Sequence, residues 1–232
     1  MTSSSTSSLK FGDLTIFYEK RSDKSLPPSL TDILTASDLK PGVYEGGFKI
    51  WECSIDLCRY LASEPNRLDG KRVLELGCGA GLPGIVALKQ AARHVCFQDF
   101  NDEVINTWTK RNVQINCDPD SDVILRSSFL VGDWDHTQSH CQAEGERFDV
   151  VLTSETIYNV ENYGKLVRTI DSALTASGYA LLAAKSYYFG VGGSVDSFLD
   201  FLCIDKTFHA RLVWSSCDSA IVRQILLLER AC

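Results

Sequence analysis

A doubly wound α/β fold with a mostly parallel sheet is what this sequence predicts, and three observations predict it. Short apolar runs at 73–77, 94–99, 123–131, 148–153 and 178–184 read as buried strands, and amphipathic stretches at 53–62, 85–88, 103–115, 161–174 and 195–203 read as helices between them. The first run ends in a glycine-rich turn, Gly77-Cys78-Gly79-Ala80-Gly81, that opens the next helix. The last two runs, 208–214 and 220–228, are joined by Cys217-Asp218-Ser219 and predict an antiparallel hairpin.

The glycine turn is the chemical centre of the chain. Glycine admits positive φ and lets a ligand approach a backbone that has no Cβ in the way. Glu75 interrupts the apolar strand just before it, and a carboxylate in a buried strand needs a partner. Gly79-Ala80-Gly81-Leu82-Pro83-Gly84 matches the dinucleotide pattern G-x-G-x-x-G, but the first glycine of that pattern should follow directly on the strand. Gly77 holds that place, and counted from it the third glycine position is Leu82. The frame of Glu75, Gly77, Gly79 and Gly81 resembles instead motif I of S-adenosylmethionine (SAM)-dependent methyltransferases.

Composition narrows the class. With 232 residues, the chain suits one α/β domain with a full core. Its formal net charge of -7 argues against non-specific affinity for nucleic acid and suits a basic protein partner. No apolar run approaches a membrane span, and the N-terminus shows no signal-peptide core. Nine cysteines with no C-x-x-C pair point to a reducing compartment rather than to zinc or a disulfide framework. His136, His140 and Cys141 have helical ligand spacing but no matching carboxylate, so no metal is expected.

Residues 2–8 are almost all Ser and Thr, a low-complexity start expected to be disordered. Leu14, Ile16 and Tyr18 alternate as one half-buried strand over 9–18 would. The polar stretch 20–40, with Pro27-Pro28, reads as a surface connection with a helical turn at 30–34. The expected division is an N-terminal segment, 1–38, partly disordered, and a catalytic domain, 39–232.

Four strand-end or loop positions are candidate site residues, each with a plain structural alternative. Trp51 and Glu52 stand at the mouth of the 53–62 helix behind the Gly-rich arm Pro41-Gly42-Val43-Tyr44-Glu45-Gly46-Gly47, where they would close over a ligand or serve as core and helix-dipole residues. Asp99 ends the second strand roughly twenty residues past the glycine turn, the offset of an acidic ribose ligand, or else it caps the next helix. Gly132-Asp133-Trp134 would meet an adenine, Asp133 by its carboxylate and Trp134 by its face, or form an anchored surface turn. Ser154-Glu155-Thr156-Ile157-Tyr158-Asn159, after the strand next to the first, lies where chemistry is expected in this topology, or else its polar residues are structural, as when a buried tyrosine anchors its hydroxyl on backbone.

With these segments placed, a more specific resemblance stands out. The arm at 41–47, Lys49-Ile50-Trp51-Glu52-Cys53, Phe97-Gln98-Asp99, Thr153-Ser154-Glu155-Thr156-Ile157-Tyr158-Asn159 and Tyr188-Phe189-Gly190-Val191-Gly192-Gly193 together resemble the histidine protein methyltransferase family, over roughly 39–228. Phe100 and Pro83 stand where that family has tyrosine and leucine. The resemblance implies the class I SAM-dependent methyltransferase fold, a Rossmann-like seven-stranded sheet with an antiparallel last strand. It implies SAM as cofactor, held by Ile50, Trp51, Glu52, Cys53 and Ser54 at the methionine end. Glu75, Gly77 and Gly79 would shape the turn, Gln98, Asp99 and Phe100 hold the ribose, Gly132, Asp133 and Trp134 meet the adenine, and Ser154 close the pocket near the methyl. It further implies a histidine of ribosomal protein uL3 as target; methylation at Nτ, the nitrogen furthest from the substrate backbone, by a monomeric enzyme in cytoplasm and nucleus is the accompanying expectation, without membrane or direct nucleic-acid contact.

The reaction asks mainly for orientation. An imidazole with a pKa of about 6.5 is mostly neutral at pH 7 and already offers a lone pair. An acceptor holding the proton on the other ring nitrogen selects which nitrogen reacts. Glu155, Tyr158 and Asn159 are the candidate catalytic residues for that task, and Tyr44 and Glu45 on the arm are placed to share it.

Overall fold

The computed structural model describes residues 5–20, 43–116, 125–217 and 220–231. Its centre is a seven-stranded sheet in the order β5-β4-β3-β6-β7-β9-β8. These strands are β3 (Arg72–Leu76), β4 (His94–Asp99), β5 (Ser127–Val131), β6 (Phe148–Ser154), β7 (Leu174–Lys185), β8 (Phe208–Ser215) and β9 (Arg223–Arg230). β3 through β7 pair in parallel, while β9 runs antiparallel to both β7 and β8. The expected fold class and its antiparallel last strand are therefore what the chain adopts. Strand order reverses between β3 and β6, which opens a crevice at their carboxyl ends.

Alternation along each strand divides the core between two faces. On one face Val73, Leu181 and Ala183 meet α1 (Glu52–Ser63) and α2 (Leu82–Lys89), whose Leu57, Leu61 and Val86 are fully buried. On the other, Leu74, Leu76, Ala180 and Leu182 meet α6 (Tyr163–Ala173) and α7 (Val195–Asp205) through Leu166, Ile170 and Phe198. Each such aliphatic side chain contributes about 1.5–3 kcal/mol of burial. α2 is apolar on every side because it lies under the glycine turn and against β4. An added Cβ at Gly84 would stand 2.3 Å from Phe97 Cε1 and 2.6 Å from Glu75 Oε2. Gly84→Ala should therefore lower stability in a urea melt by roughly 1–3 kcal/mol; an unchanged midpoint would mean that helix and strand are not this close.

Three segments differ from expectation. The supposed single strand over 9–18 is a hairpin, β1 (Thr6–Phe11) and β2 (Leu14–Glu19), reversing at Gly12 with φ 59°. Alternation continues on both sides of a tight turn but changes phase across it. The third parallel strand is confined to Ser127–Val131, and the helical turn at 30–34 falls outside the described residues. A polar helix, α5 (Trp134–Ala143), follows β5 and buries only Thr137 and Cys141, too little apolar surface to announce itself.

The hairpin is seated by side-chain amides rather than by another strand. After α3 (Asp102–Val104) the chain widens into a π-helical segment, Ile105–Thr109, before α4 (Lys110–Asn116). Phe17 N donates to Asn116 Oδ1 at 2.8 Å and Glu19 N to Asn112 Oδ1 at 2.9 Å, while Trp108 Nε1 donates to Glu19 O at 2.9 Å. The same helix reaches the glycine turn, with Thr109 Oγ1 donating to Gly79 O at 2.7 Å and Asn112 Nδ2 to Ala80 O at 2.9 Å. A π-segment commonly marks a functional site, and here it lies directly behind the turn.

Candidate active site

A cavity of about 430 Å³ occupies the crevice at the carboxyl ends of β3, β4, β5 and β6. Gly77, Gly79 and Gly81 all take left-handed φ, at 63°, 49° and 74°. A Cβ on Gly79 would stand 3.0 Å from Gly47 O, so the arm closes on the turn only because both positions are glycine. Glu75 sits beneath, fully buried, with Oε2 accepting from Gly84 N at 2.9 Å. Burial pushes its carboxyl well above the usual range, with Asp99 adding to the rise. It supports the turn and does not face the cavity.

Asp99 does face the cavity and is also a bracket within it. Oδ2 accepts from Gly79 N at 2.8 Å and Oδ1 from Asn101 N at 3.2 Å. Burial raises its carboxyl to about 6 against these backbone hydrogen bonds, with Glu45 adding to the rise. The folded value lies above the unfolded one, so the stability it contributes is present in acid and lost as pH rises from about 4 to about 6. Beside it, Gln98 Oε1 accepts from Gly77 N at 3.2 Å while Nε2 donates to Gly132 O at 2.7 Å, tying two strand-end loops together. Asp133 is the N-cap of α5, accepting from His136 N at 2.8 Å, with Lys165 Nζ 3.4 Å from its other oxygen. The cap bond and that cation hold its carboxyl below the ordinary range, the cap bond contributing most.

The arm forms the opposite wall. Trp51 Nε1 donates to Gly46 O at 3.1 Å, and the Lys49 ammonium lies 4.3 Å from the Trp51 ring centre. Tyr158 donates its hydroxyl to Glu45, and burial together with that carboxylate pushes the phenol upward. Glu155, just past the end of β6, holds a left-handed φ of 58°, a conformation rare outside glycine that aims its side chain back under the arm. Glu155 Oε1 accepts from Cys53 N at 3.4 Å and lies 3.6 Å from Lys185 Nζ. Its Oε2 is buried without a hydrogen-bond partner. A buried carboxylate oxygen left open at a cavity junction is free to accept from a ligand.

That junction leads to a second cavity of about 260 Å³, which shares Glu45, Trp51, Glu155 and Tyr158 with the first. Its far wall is Tyr187, Tyr188, Phe189, Val191 and Ile221, and Phe189 is 75% exposed at the rim. The aromatic loop is latched to the site by Gly193 N donating to Tyr158 O at 2.9 Å.

Most of the expected residues meet in one place. Ile50, Trp51, Ser54, Gly77, Gly79, Gln98, Asp99, Phe100, Gly132, Asp133, Trp134, Ser154, Glu155 and Tyr158 all line the first cavity. Glu52, Cys53, Glu75 and Asn159 do not: the Asn159 side chain caps the short helical turn Val160–Asn162, accepting from Glu161 N at 3.0 Å. Lys165 and Lys185 were not anticipated, because a lysine near a helix start or strand end carries no pattern of its own. The glycine cradle and the buried Asp99 carboxylate fit SAM as the cofactor. Among the described residues no cluster of histidine, cysteine and carboxylate has the geometry of a metal site.

Comparison with known proteins agrees. A family model described as lysine methyltransferase matches residues 33–189. A protein named histidine protein methyltransferase 1 homolog from Dictyostelium discoideum is 48% identical over 172 residues, covering 74% of this chain and 53% of that protein. A protein of the same name from Bos taurus is 41% identical over 197 residues, covering 75% and 53%. The chain thus spans about half the length of these relatives. In three dimensions it resembles magnesium protoporphyrin IX methyltransferase from Synechocystis with bound SAM, at TM-score 0.56, 16% identity and coverage of 77% and 78%. It also resembles a ribosomal protein L11 methylase from Lactobacillus delbrueckii, at TM-score 0.54, 14% identity and coverage of 85% and 92%. With the family match spanning more than half its length, the chain belongs to the family described as lysine methyltransferase and carries the class I methyltransferase fold.

Proposed function

We propose that this protein is a SAM-dependent protein-histidine methyltransferase that modifies Nτ of a histidine in ribosomal protein uL3. The observation that carries the reading is the open Glu155 oxygen at the junction of the two cavities, on a chain whose relatives at 41–48% identity are named for histidine methylation. Asp99, Gln98 and the glycine turn would hold SAM, which when bound supplies an electrophilic methyl group. Glu155 Oε2 would accept the Nπ–H of the incoming imidazole, leaving the lone pair on Nτ. Tyr158, held by Glu45, and Tyr188 would flank the ring. Nτ projects furthest from the substrate backbone and enters a strand-end crevice most easily. A basic ribosomal protein suits the acidic chain, and the encounter rate should fall as salt rises. We further propose a domain spanning 39–232 that acts as a monomer in cytoplasm and nucleus.

Two measurements test this. In calorimetry SAM and its demethylated product, SAH, should bind while NAD does not, because the turn lacks the glycine frame of a pyrophosphate site; tight NAD binding alone would refute the cofactor assignment. Recombinant uL3 incubated with labelled SAM should then carry label as Nτ-methylhistidine after hydrolysis. The family description favours lysine as the alternative acceptor, and label recovered as methyllysine would establish it.

A further inference from the structure

Lys185 lies outside the larger cavity, at the last position of β7, and nothing above assigns it a role. Its Nζ stands 3.0 Å from Glu52 and 3.6 Å from Glu155 Oε1, and 5.2 Å from the Trp51 ring centre. Its side chain is 16% exposed, whereas that of Glu52 is 60% exposed. One anchor is therefore solvated and the other buried, so the ammonium crosses from the surface into the site. Three elements converge on it: α1 through Glu52, the turn after β6 through Glu155, and β7 itself.

We propose that Lys185 is the positioning residue of the site: anchored by Glu52 and laid against Trp51, it engages one oxygen of Glu155 and leaves the other, buried and unpaired, for the proton of the target imidazole. The inference rests on Glu155 being the imidazole acceptor. With Oε1 held between Lys185 Nζ at 3.6 Å and Cys53 N at 3.4 Å, the carboxylate is fixed in orientation and Oε2 stays at the junction. The other groups facing Glu155 do not replace the cation. The Cys53 thiol is buried and pushed well upward, by burial first and then by Glu155 itself. The Tyr188 hydroxyl faces the same carboxylate and is likewise pushed up by burial and then by its charge. Both are therefore neutral at physiological pH, and Lys185 is the cation in contact with Glu155 among the described residues. Glu45, across the junction, is directed to Tyr158.

The test compares Lys185→Met, Lys185→Gln and Lys185→Arg. SAH affinity by calorimetry should stay within about twofold in all three, because the lysine does not line the cofactor cavity. In the Met and Gln variants kcat for histidine methylation of recombinant uL3 should fall about tenfold or more, with π-methylhistidine appearing in the product, and both should be restored in the Arg variant. An Arg variant no more active than the Met variant overturns the inference, as does loss of SAH binding in both neutral variants, which would make Lys185 structural. If the wild type labels histidine and the neutral variants keep its rate profile, the inference alone falls. If the wild type labels no histidine, the proposed function falls and takes this inference with it.

Discussion

Asp99→Ala is expected to weaken SAH binding at least tenfold at pH 7.5 and to change apo stability by an amount that depends on pH. The binding loss follows from removing charge-assisted hydrogen bonds to ribose hydroxyls, each worth roughly 1.5–3 kcal/mol. A solvated strand-end carboxylate would leave stability untouched, but Asp99 is buried and accepts from Gly79 N and Asn101 N. Its removal strands two backbone donors, at roughly 1–3 kcal/mol each. Against this, a carboxyl raised from its ordinary value to about 6 loses about 3 kcal/mol by ionising at neutral pH, a penalty the alanine variant escapes. The melting temperature of Asp99→Ala should therefore fall furthest below wild type at about pH 4, and the gap should narrow as pH rises to about 6 and hold steady above it. The same ionisation governs the cofactor: wild-type SAH affinity should be flat above pH 6 and fall below it, as the carboxylate that accepts the ribose is lost. Asp99→Asn should bind weakly and without that acid limb. Equal affinities for wild type and Asp99→Asn across this range would remove Asp99 from the cofactor site.

Glu155→Gln should lower kcat for histidine methylation by roughly 10²- to 10⁴-fold, the usual contribution of a positioned acid-base group, and leave SAH affinity within about twofold. Gln presents one carbonyl oxygen, which the Cys53 N–H already claims at 3.4 Å, and turns an NH₂ toward the ring nitrogen. That donor would select the opposite tautomer. A trace of π-methylhistidine in the product would be the strongest support, and full activity in Glu155→Gln would dismiss the carboxylate from the reaction. Glu155→Gly separates role from strain: glycine accepts φ 58° without penalty, so this variant should melt no lower than Glu155→Gln while remaining inactive.

Much of the parallel sheet was legible because its strands are short apolar runs between a glycine turn and amphipathic helices, so period and punctuation coincide. Asp99 and Gly77 could be found by their separation along the chain. Harder to see were features set by three-dimensional contact. The positive φ of Glu155 has no residue signature, since glutamate is not a turn residue, and Lys185 gains meaning only when Glu52 and Glu155 are folded around it. Asp133 shows the limit of reading one role per residue: its strand-end position suggested adenine, yet one oxygen is spent capping α5. Asn159, a candidate by position, has its side-chain oxygen accepting from Glu161 N and does not line the cavity. Gly12 marks a chain reversal at which the inward positions pass from odd numbers, Leu9 and Phe11, to even ones, Leu14 and Ile16, a break of phase that the single-strand reading passed over.

Asn112 joins two parts of the molecule that share no other purpose. Its carbonyl oxygen receives Glu19 N from the hairpin while its NH₂ holds Ala80 O in the glycine turn. A ligand that steadies the turn must also steady that amide plane, and the plane has a second end in β2. Cofactor occupancy should thereby be reported far from the crevice, as slower hydrogen–deuterium exchange at the amides of Phe17 and Glu19. By the same reciprocity, a hairpin that peels away would loosen the grip on the cofactor without touching it.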